Sequence, residues 1–179
     1  MCNHQSFLDP VLVTMALQRE GNYMARDTLF GHRLFRWLIE YLNAFPIRRQ
    51  SADIGAIKES LRRLKRGCVL VLFPEGTRTP DGRIGPMLPG LGAIAKKAGA
   101  PIVPTLIDGM YQTWPKGKLL PALGDVIVEY GQPIEPADYA HLSPEELMAL
   151  IRTRLIAMQQ QWHSRLPARR LQWFDGEAH

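Results

Sequence analysis

The sequence predicts an α/β domain whose mixed, mostly parallel sheet is flanked by helices, and three observations lead there. Short apolar runs alternate with helix-patterned segments along the chain. The run Cys68-Val69-Leu70-Val71-Leu72 is apolar throughout, as a strand buried on both faces must be. Behind it comes Phe73-Pro74-Glu75-Gly76-Thr77-Arg78, in the place where parallel sheets present functional groups, the loop at a strand's carboxyl end. A chain of 179 residues with 46% apolar content supports one core, so a single domain is expected over residues 1–166, with a short basic tail over residues 167–179.

In chain order, Pro10 in a first helical turn followed by Val11, Leu12 and Val13 predicts a short helix just behind the polar stretch Asn3–Asp9. Residues Thr28–Asn43 read as an amphipathic helix, with Leu29, Leu34, Trp37, Leu38, Tyr41 and Leu42 on one face, suited to core packing or to lying on lipid. Ala44–Arg49 is extended. Ser51 as cap, the stripe Ile54, Ile57, Leu61 and Leu64, and Gly67 as stop define a helix whose basic run over Lys58–Arg66 is expected to be solvated. After a turn at Thr79–Arg83 come a helix from Pro89 to a Gly99 stop, a strand over Ala100–Ile107, a loop over Tyr111–Lys118 and an edge strand over Asp125–Tyr130. That loop suits a site entrance or a lid over Trp114. Ser143, Pro144 and Glu146 form a capping box for a last helix striped by Leu147, Ile151, Leu155, Met158 and Trp162.

Charge and motif arithmetic narrows the function. A net charge of +5 favours anionic partners. Nucleic acid is not expected among them, since no recognised binding motif and no interleaving of aromatic with basic residues occurs. The five histidines are scattered without ligand spacing, so no metal is expected. Cys2 and Cys68 lack metal spacing too and fit a reduced, cytoplasmic setting. No apolar run reaches the ~18 residues that a bilayer span requires. The segment Gly90-x-Gly92-x-x-Ala95 with Asp108 loosely fits a dinucleotide fingerprint, but its glycines follow a Pro-rich loop instead of a strand.

Two constellations carry chemistry. If the chain turns from loop into helix between His4 and Asp9, the carboxylate can return to one ring nitrogen and leave the other to accept a proton. A helix-capping Asp9 beside a solvated His4 fits the same heptapeptide. In the hexapeptide, Glu75 sits on a tight turn and the guanidinium of Arg78 matches phosphate oxygens, although a plain surface turn would use the same residues. Arg48 and Arg49 lie at a strand end, where charge can point into a site.

Asn3-His4-x-x-x-x-Asp9, Phe45-Pro46-Ile47-Arg48-Arg49, Phe73-Pro74-Glu75-Gly76-Thr77-Arg78 and Pro101-Ile102-Val103-Pro104 resemble, in order and at similar separations, the four blocks of the glycerolipid acyltransferases, the 1-acyl-glycerol-3-phosphate acyltransferase family. The resemblance runs from Asn3 to about Gly131. It implies transfer of a fatty acyl group from an acyl thioester, acyl-CoA or acyl-carrier protein, to the free hydroxyl of lysophosphatidic acid or a related lysophospholipid in phospholipid biosynthesis. It further implies no cofactor beyond that acyl donor, and a peripheral place at the cytoplasmic face of the membrane. By the same resemblance His4 is the general base and Asp9 its orienting partner. Arg49 and Arg78 bind phosphate, Glu75, Gly76 and Thr77 belong to the acceptor-holding turn, and Pro104 belongs to a wall near the thioester. Relatives usually carry membrane-binding helices and a first strand ahead of the Asn-His block, and these are expected to be lacking here. Met87-Leu88-Pro89 stands where many relatives have basic residues. An acyltransferase-like domain that only binds lipid or membrane is the alternative that the resemblance leaves.

Overall fold

The computed structural model describes residues 1–31, 33–41, 43–47 and 53–166, and of Leu34, Phe35 and Leu38 only the backbone. Its elements are α1 (Asp9–Thr14), β1 (Gly21–Arg26), a 3-10 turn (Asp27–Gly31), α2 (Arg33–Tyr41), β2 (Ala44–Ile47), α3 (Ile54–Lys65) and β3 (Val69–Val71), then α4 (Pro89–Ala98), β4 (Thr105–Asp108), α5 (Met110–Thr113), β5 (Ile127–Tyr130), α6 (Pro136–Tyr139) and α7 (Pro144–His163). β1 pairs in parallel with β2 on one side and β3 on the other, and β4 pairs antiparallel with β5. Residues 1–2 join the two groups of strands. The Cys2 amide donates to the Leu72 carbonyl at 2.9 Å, the Thr105 amide to the Met1 carbonyl at 2.8 Å, and the terminal ammonium to the Val103 carbonyl at 2.8 Å. The sheet is therefore mixed and mostly parallel, as expected. Met1 and Cys2 thus bridge Leu72, just behind β3, to β4, and a cavity of about 580 Å³ runs along Val69–Leu72 and Pro101–Val103.

β1 was not legible as a strand, yet it is the centre of the parallel group. Its residues Gly-Asn-Tyr-Met-Ala-Arg include no β-branched side chain, and its pairing on both sides overrides that weak propensity. The expected strand Ala100–Ile107 is shorter at its start: Pro101 and Pro104 lack amides, so before Thr105 only Ile102 pairs, in an antiparallel bridge with Ile134. The expected helix over Thr28–Asn43 is divided into the 3-10 turn and α2, and within α2 the expected stripe is not the buried face. Trp37 and Tyr41 are 63% and 75% exposed and stack on each other at 5.9 Å, while Ile39 is buried in their place.

α3 begins later than expected. Ser51 lies outside the described residues, and the cap is Asp53, whose carboxylate accepts from the Ala56 amide at 2.9 Å. The buried face centres on Ala56 and Ser60, with Ile54 turned out; the Ser60 hydroxyl donates back to the Ala56 carbonyl at 2.7 Å, so its burial leaves no orphaned donor. The basic run is not wholly solvated. Arg63 donates to Asn22, to the Asn43 carbonyl at 2.9 Å and to Glu59 at 2.6 Å, and its guanidinium sits 4.6 Å over the Phe45 ring, stitching α3 to β1 and β2.

The main core lies under α7. Leu147, Ile151 and Leu155 are fully buried there, each burial stabilising by about 1.5–3 kcal/mol. The Ser143–Glu146 capping box forms as the sequence reads. Gly92 explains itself in this packing: a Cβ on it would stand 2.6 Å from the Pro144 carbonyl oxygen, so the glycine lets α4 close on α7.

Candidate active site

The site is assembled behind the second residue of the chain. Asn3 does the work of a strand neighbour with a side chain: its amide donates to the Ile107 carbonyl at 2.7 Å and its carbonyl accepts from the Ile107 amide at 2.8 Å. This fixes the start of a loop that must turn into α1, whose first residue is Asp9. The Asp9 carboxylate is fully buried and one of its oxygens, Oδ2, accepts three bonds, from the Gln5 amide at 2.6 Å, the Ser6 amide at 2.8 Å and His4 Nδ1 at 2.8 Å. The geometry is that of the first reading and not of a cap: Leu8 holds the cap position with no side-chain bond to α1, and the Asp9 oxygen that ties up the loop amides also holds the imidazole. With Nδ1–H directed at Asp9, Nε2 is the nitrogen left to accept a proton. The ring is held flat by Phe73, stacked at 4.3 Å.

The Glu75 carboxylate closes the loop from the other side. Its Oε1 accepts from the His4 amide at 2.9 Å and its Oε2 from the Gly85 amide at 3.1 Å, while burial pushes its carboxyl above the usual carboxylate range. The Thr79 amide, just behind the hexapeptide, donates to the His4 carbonyl at 2.7 Å, so both backbone groups of His4 are held from the 75–79 segment. Gly76 adopts a left-handed φ of 68°, and a Cβ there would meet Leu88 at 2.5 Å. Leu88, of the Met87-Leu88-Pro89 segment, is therefore packed directly on the turn.

His4 opens onto a pocket of about 300 Å³. Thr77 and Arg78 line it, and so do Arg26, at the end of β1, and Lys116, giving three cations among the described residues. The rest of the wall is largely apolar, from Phe7, Val11, Met24, Leu29, Ile39 and Phe73. Of the expected residues, His4, Thr77 and Arg78 meet in the pocket, Asp9 stands behind His4, and Glu75 and Gly76 shape the loop. Arg49 lies outside the described residues. Pro104 stands apart from this pocket, its carbonyl accepting from the Gly131 amide at 2.8 Å. Arg26 escaped the sequence reading along with its strand; the signal was a cation closing a short extended run.

A second network holds the loop from beneath. Gln5 Oε1 accepts from the Met110 and Tyr111 amides at 2.9 and 3.1 Å, and Gln5 Nε2 donates to Asp108 at 3.3 Å. Asp108 is buried and also meets His163 Nε2 at 2.7 Å and Gln159 Nε2 at 3.2 Å, both on α7. Asp108 is thus a structural anchor between β4, α7 and the His4 loop.

Comparisons with known proteins place the chain among acyltransferases. The chain is 32% identical over 149 residues to the 1-acyl-sn-glycerol-3-phosphate acyltransferase of Bacillus subtilis, covering 83% of this chain and 72% of that one. It is 30% identical over 131 residues to the chloroplastic enzyme BAT2 of the same description from Brassica napus, covering 72% of this chain and 36% of the relative. The crystal structure of the 1-acyl-sn-glycerophosphate acyltransferase of Thermotoga maritima superposes with a TM-score of 0.77 at 29% identity, covering 93% of this chain and 66% of that chain. The chain thus spans from about a third to under three quarters of these relatives. The model of the family described as Acyltransferase matches residues 1–108, which hold the His4–Asp9 pair, the hexapeptide and β4, and the chain belongs to that family.

Proposed function

We propose that this chain is an O-acyltransferase that moves a fatty acyl group from an acyl thioester to the free hydroxyl of a lysophospholipid, with lysophosphatidic acid as acceptor. The observation that carries the reading is the His4–Asp9 pair, 2.8 Å apart, opening onto a pocket with cations and apolar walls. In the proposed reaction Nε2 of His4 takes the acceptor's hydroxyl proton as the oxygen attacks the thioester carbonyl. The tetrahedral intermediate collapses, the C–S bond breaks, and the imidazolium returns its proton to the departing thiolate. Ester and free thiol are the products, and Asp9 stabilises the imidazolium between the two proton transfers.

The remaining residues divide the binding. Arg78, Arg26 and Lys116 suit the acceptor's phosphate, joined by Arg49 on the strength of the sequence block, since guanidinium and ammonium groups pair with phosphate oxygens. Thr77 lies beside Arg78 with a hydroxyl to offer, and Glu75 and Gly76 keep the turn in register with His4. Direct attack is supported by the chemistry of the wall: neither cysteine lines the pocket, and the Ser6 hydroxyl is spent on the Trp114 carbonyl at 2.7 Å. Both substrates carry acyl chains, which fits a peripheral protein at the cytoplasmic membrane face. Among the described residues no helix is long and apolar enough to cross a membrane.

Thiol release from acyl-CoA and from acyl-carrier protein, each with and without 1-acyl-glycerol-3-phosphate, tests the reading. Acceptor-dependent release is expected, falling about 100-fold or more in His4→Ala. The faster donor identifies the co-substrate. No release from either donor by the folded protein refutes catalysis and leaves a lipid-binding acyltransferase-like domain.

A further inference from the structure

The loop between α5 and β5 carries a feature that acyl transfer in the pocket does not use. Leu119, Leu120 and Leu123 are 92%, 79% and 98% exposed, in a run over residues 116–125 with no buried position. Single exposed leucines need no explanation, but three within five positions present a concentrated apolar tip to solvent. The base of the loop is nevertheless built. The Trp114 indole donates to the Lys118 carbonyl at 2.9 Å, the Ala122 amide donates to the Thr113 carbonyl at 2.8 Å, and the Trp114 carbonyl accepts from Ser6 in the His4 loop. The leucines are therefore held outward from a fixed stem that is bonded to the catalytic loop.

We propose that this loop is the surface by which the protein docks on an anionic bilayer. Three observations select a bilayer over a protein partner. The leucines protrude instead of lining a groove, which suits a deformable apolar medium. Lys116 and Lys118 stand at the loop's near end, where an inserted tip would bring them level with lipid phosphates. Lys116 also lines the His4 pocket, so a membrane that takes up the leucines faces the pocket wall. The inference rests on the lysophospholipid reading of that pocket for its purpose, since a docked mouth receives its acceptor from the bilayer without its passing through water.

Sedimentation with vesicles tests the docking directly. On vesicles of phosphatidylcholine and phosphatidylglycerol in equal parts, Leu119→Ser/Leu120→Ser/Leu123→Ser is expected to lower partitioning about 100-fold, roughly 5-fold per leucine, with the melting temperature unchanged. Leu120→Trp is expected to shift its emission to the blue on those vesicles. In a transfer assay the triple-serine variant should match wild type on a short-chain acceptor dispersed as monomers and fall behind on a vesicle-borne one. Wild-type protein that does not sediment, or a triple-serine variant that sediments as wild type does, overturns the docking proposal. So does lipid-free self-association, or a complex with acyl-carrier protein, that the same substitutions abolish. If the leucines govern sedimentation while wild type transfers nothing to the monomeric acceptor, the acyltransferase reading fails and the docking surface stands.

Discussion

Replacing Asp9 by Asn separates the two tasks of that carboxylate. Its Oδ2 receives two loop amides and His4 Nδ1, all within 2.8 Å, in a fully buried setting. An Asn oxygen in the same place still accepts from the amides, so the loop is expected to keep its course. What the amide cannot supply is negative charge opposite the imidazolium. Unit charges about 4 Å apart at an effective dielectric constant near 20 attract by about 4 kcal/mol. That converts to about 10³-fold in rate if the whole interaction belongs to the transition state. We therefore expect Asp9→Asn to lose about 10³-fold in kcat, with KM for the acceptor within a few-fold of wild type and an unchanged melting temperature. Acceptor-dependent thiol release measures the first two. An Asp9→Asn enzyme within about 10-fold of wild type refutes the assignment of His4 as the base charged in the transition state.

Other substitutions probe the supports. Glu75→Gln keeps one acceptor but turns an NH2 toward either the His4 or the Gly85 amide, and a melting-temperature loss worth about 1–3 kcal/mol is expected. Because burial raises the Glu75 carboxyl, its protonated form contributes stability that is present at acid pH and is lost as pH rises through the folded value; the stability gap between wild type and Glu75→Gln should therefore narrow as pH rises and widen as it falls. Gly92→Ala puts a methyl 2.6 Å from the Pro144 carbonyl oxygen and should destabilise by about 1–3 kcal/mol, read from denaturant midpoints. Asp108→Asn leaves the Gln5 and Gln159 amides and His163 sharing a neutral acceptor, and is expected to lower kcat more than it raises KM, because the disturbed loop carries the base and not the phosphate-binding cations. Arg26→Gln should do the reverse, raising KM for the phosphorylated acceptor with a smaller change in kcat.

How much of this was legible depends on whether a residue's partner is near in sequence. The Ser143–Glu146 box, the Gly99 stop at a φ of 57° and the helix behind Asp9 are local, and all were readable. The helix over Thr28–Asn43 was readable in kind but not in its buried face: within α2 Ile39 is buried while Trp37 and Tyr41 stand out, a choice made by what packs on the helix and not by its local pattern. β1 was not readable at all. Its strand character comes from β2 and β3, whose partners of Tyr23, Ala44 and Val71, lie 21 and 48 positions further along, so no local window could hold either pairing, and with the strand went Arg26.

The same distinction explains the site. The His4–Asp9 spacing announces a base with its orienter because both partners are five residues apart, but the sequence is silent on what keeps that loop from collapsing. The supports come from 71 residues away through Glu75 and from 103 residues away through Asp108. Each contributes a carboxylate to the loop, and neither needs to touch a substrate to matter. A short polar loop with three amides and an imidazole directed inward cannot hold its shape by packing; it needs acceptors, and buried acceptors must be satisfied in turn. The hexapeptide therefore has two linked duties. Glu75 fixes where His4 stands, and Arg78, three residues on, lines the same pocket, where in the proposed reaction it would hold the acceptor's phosphate. On the proposed reading the spacing between Glu75 and Arg78 would set the distance from base to anion, which is why the order and composition of Pro-Glu-Gly-Thr-Arg carry more information than any one of those residues alone.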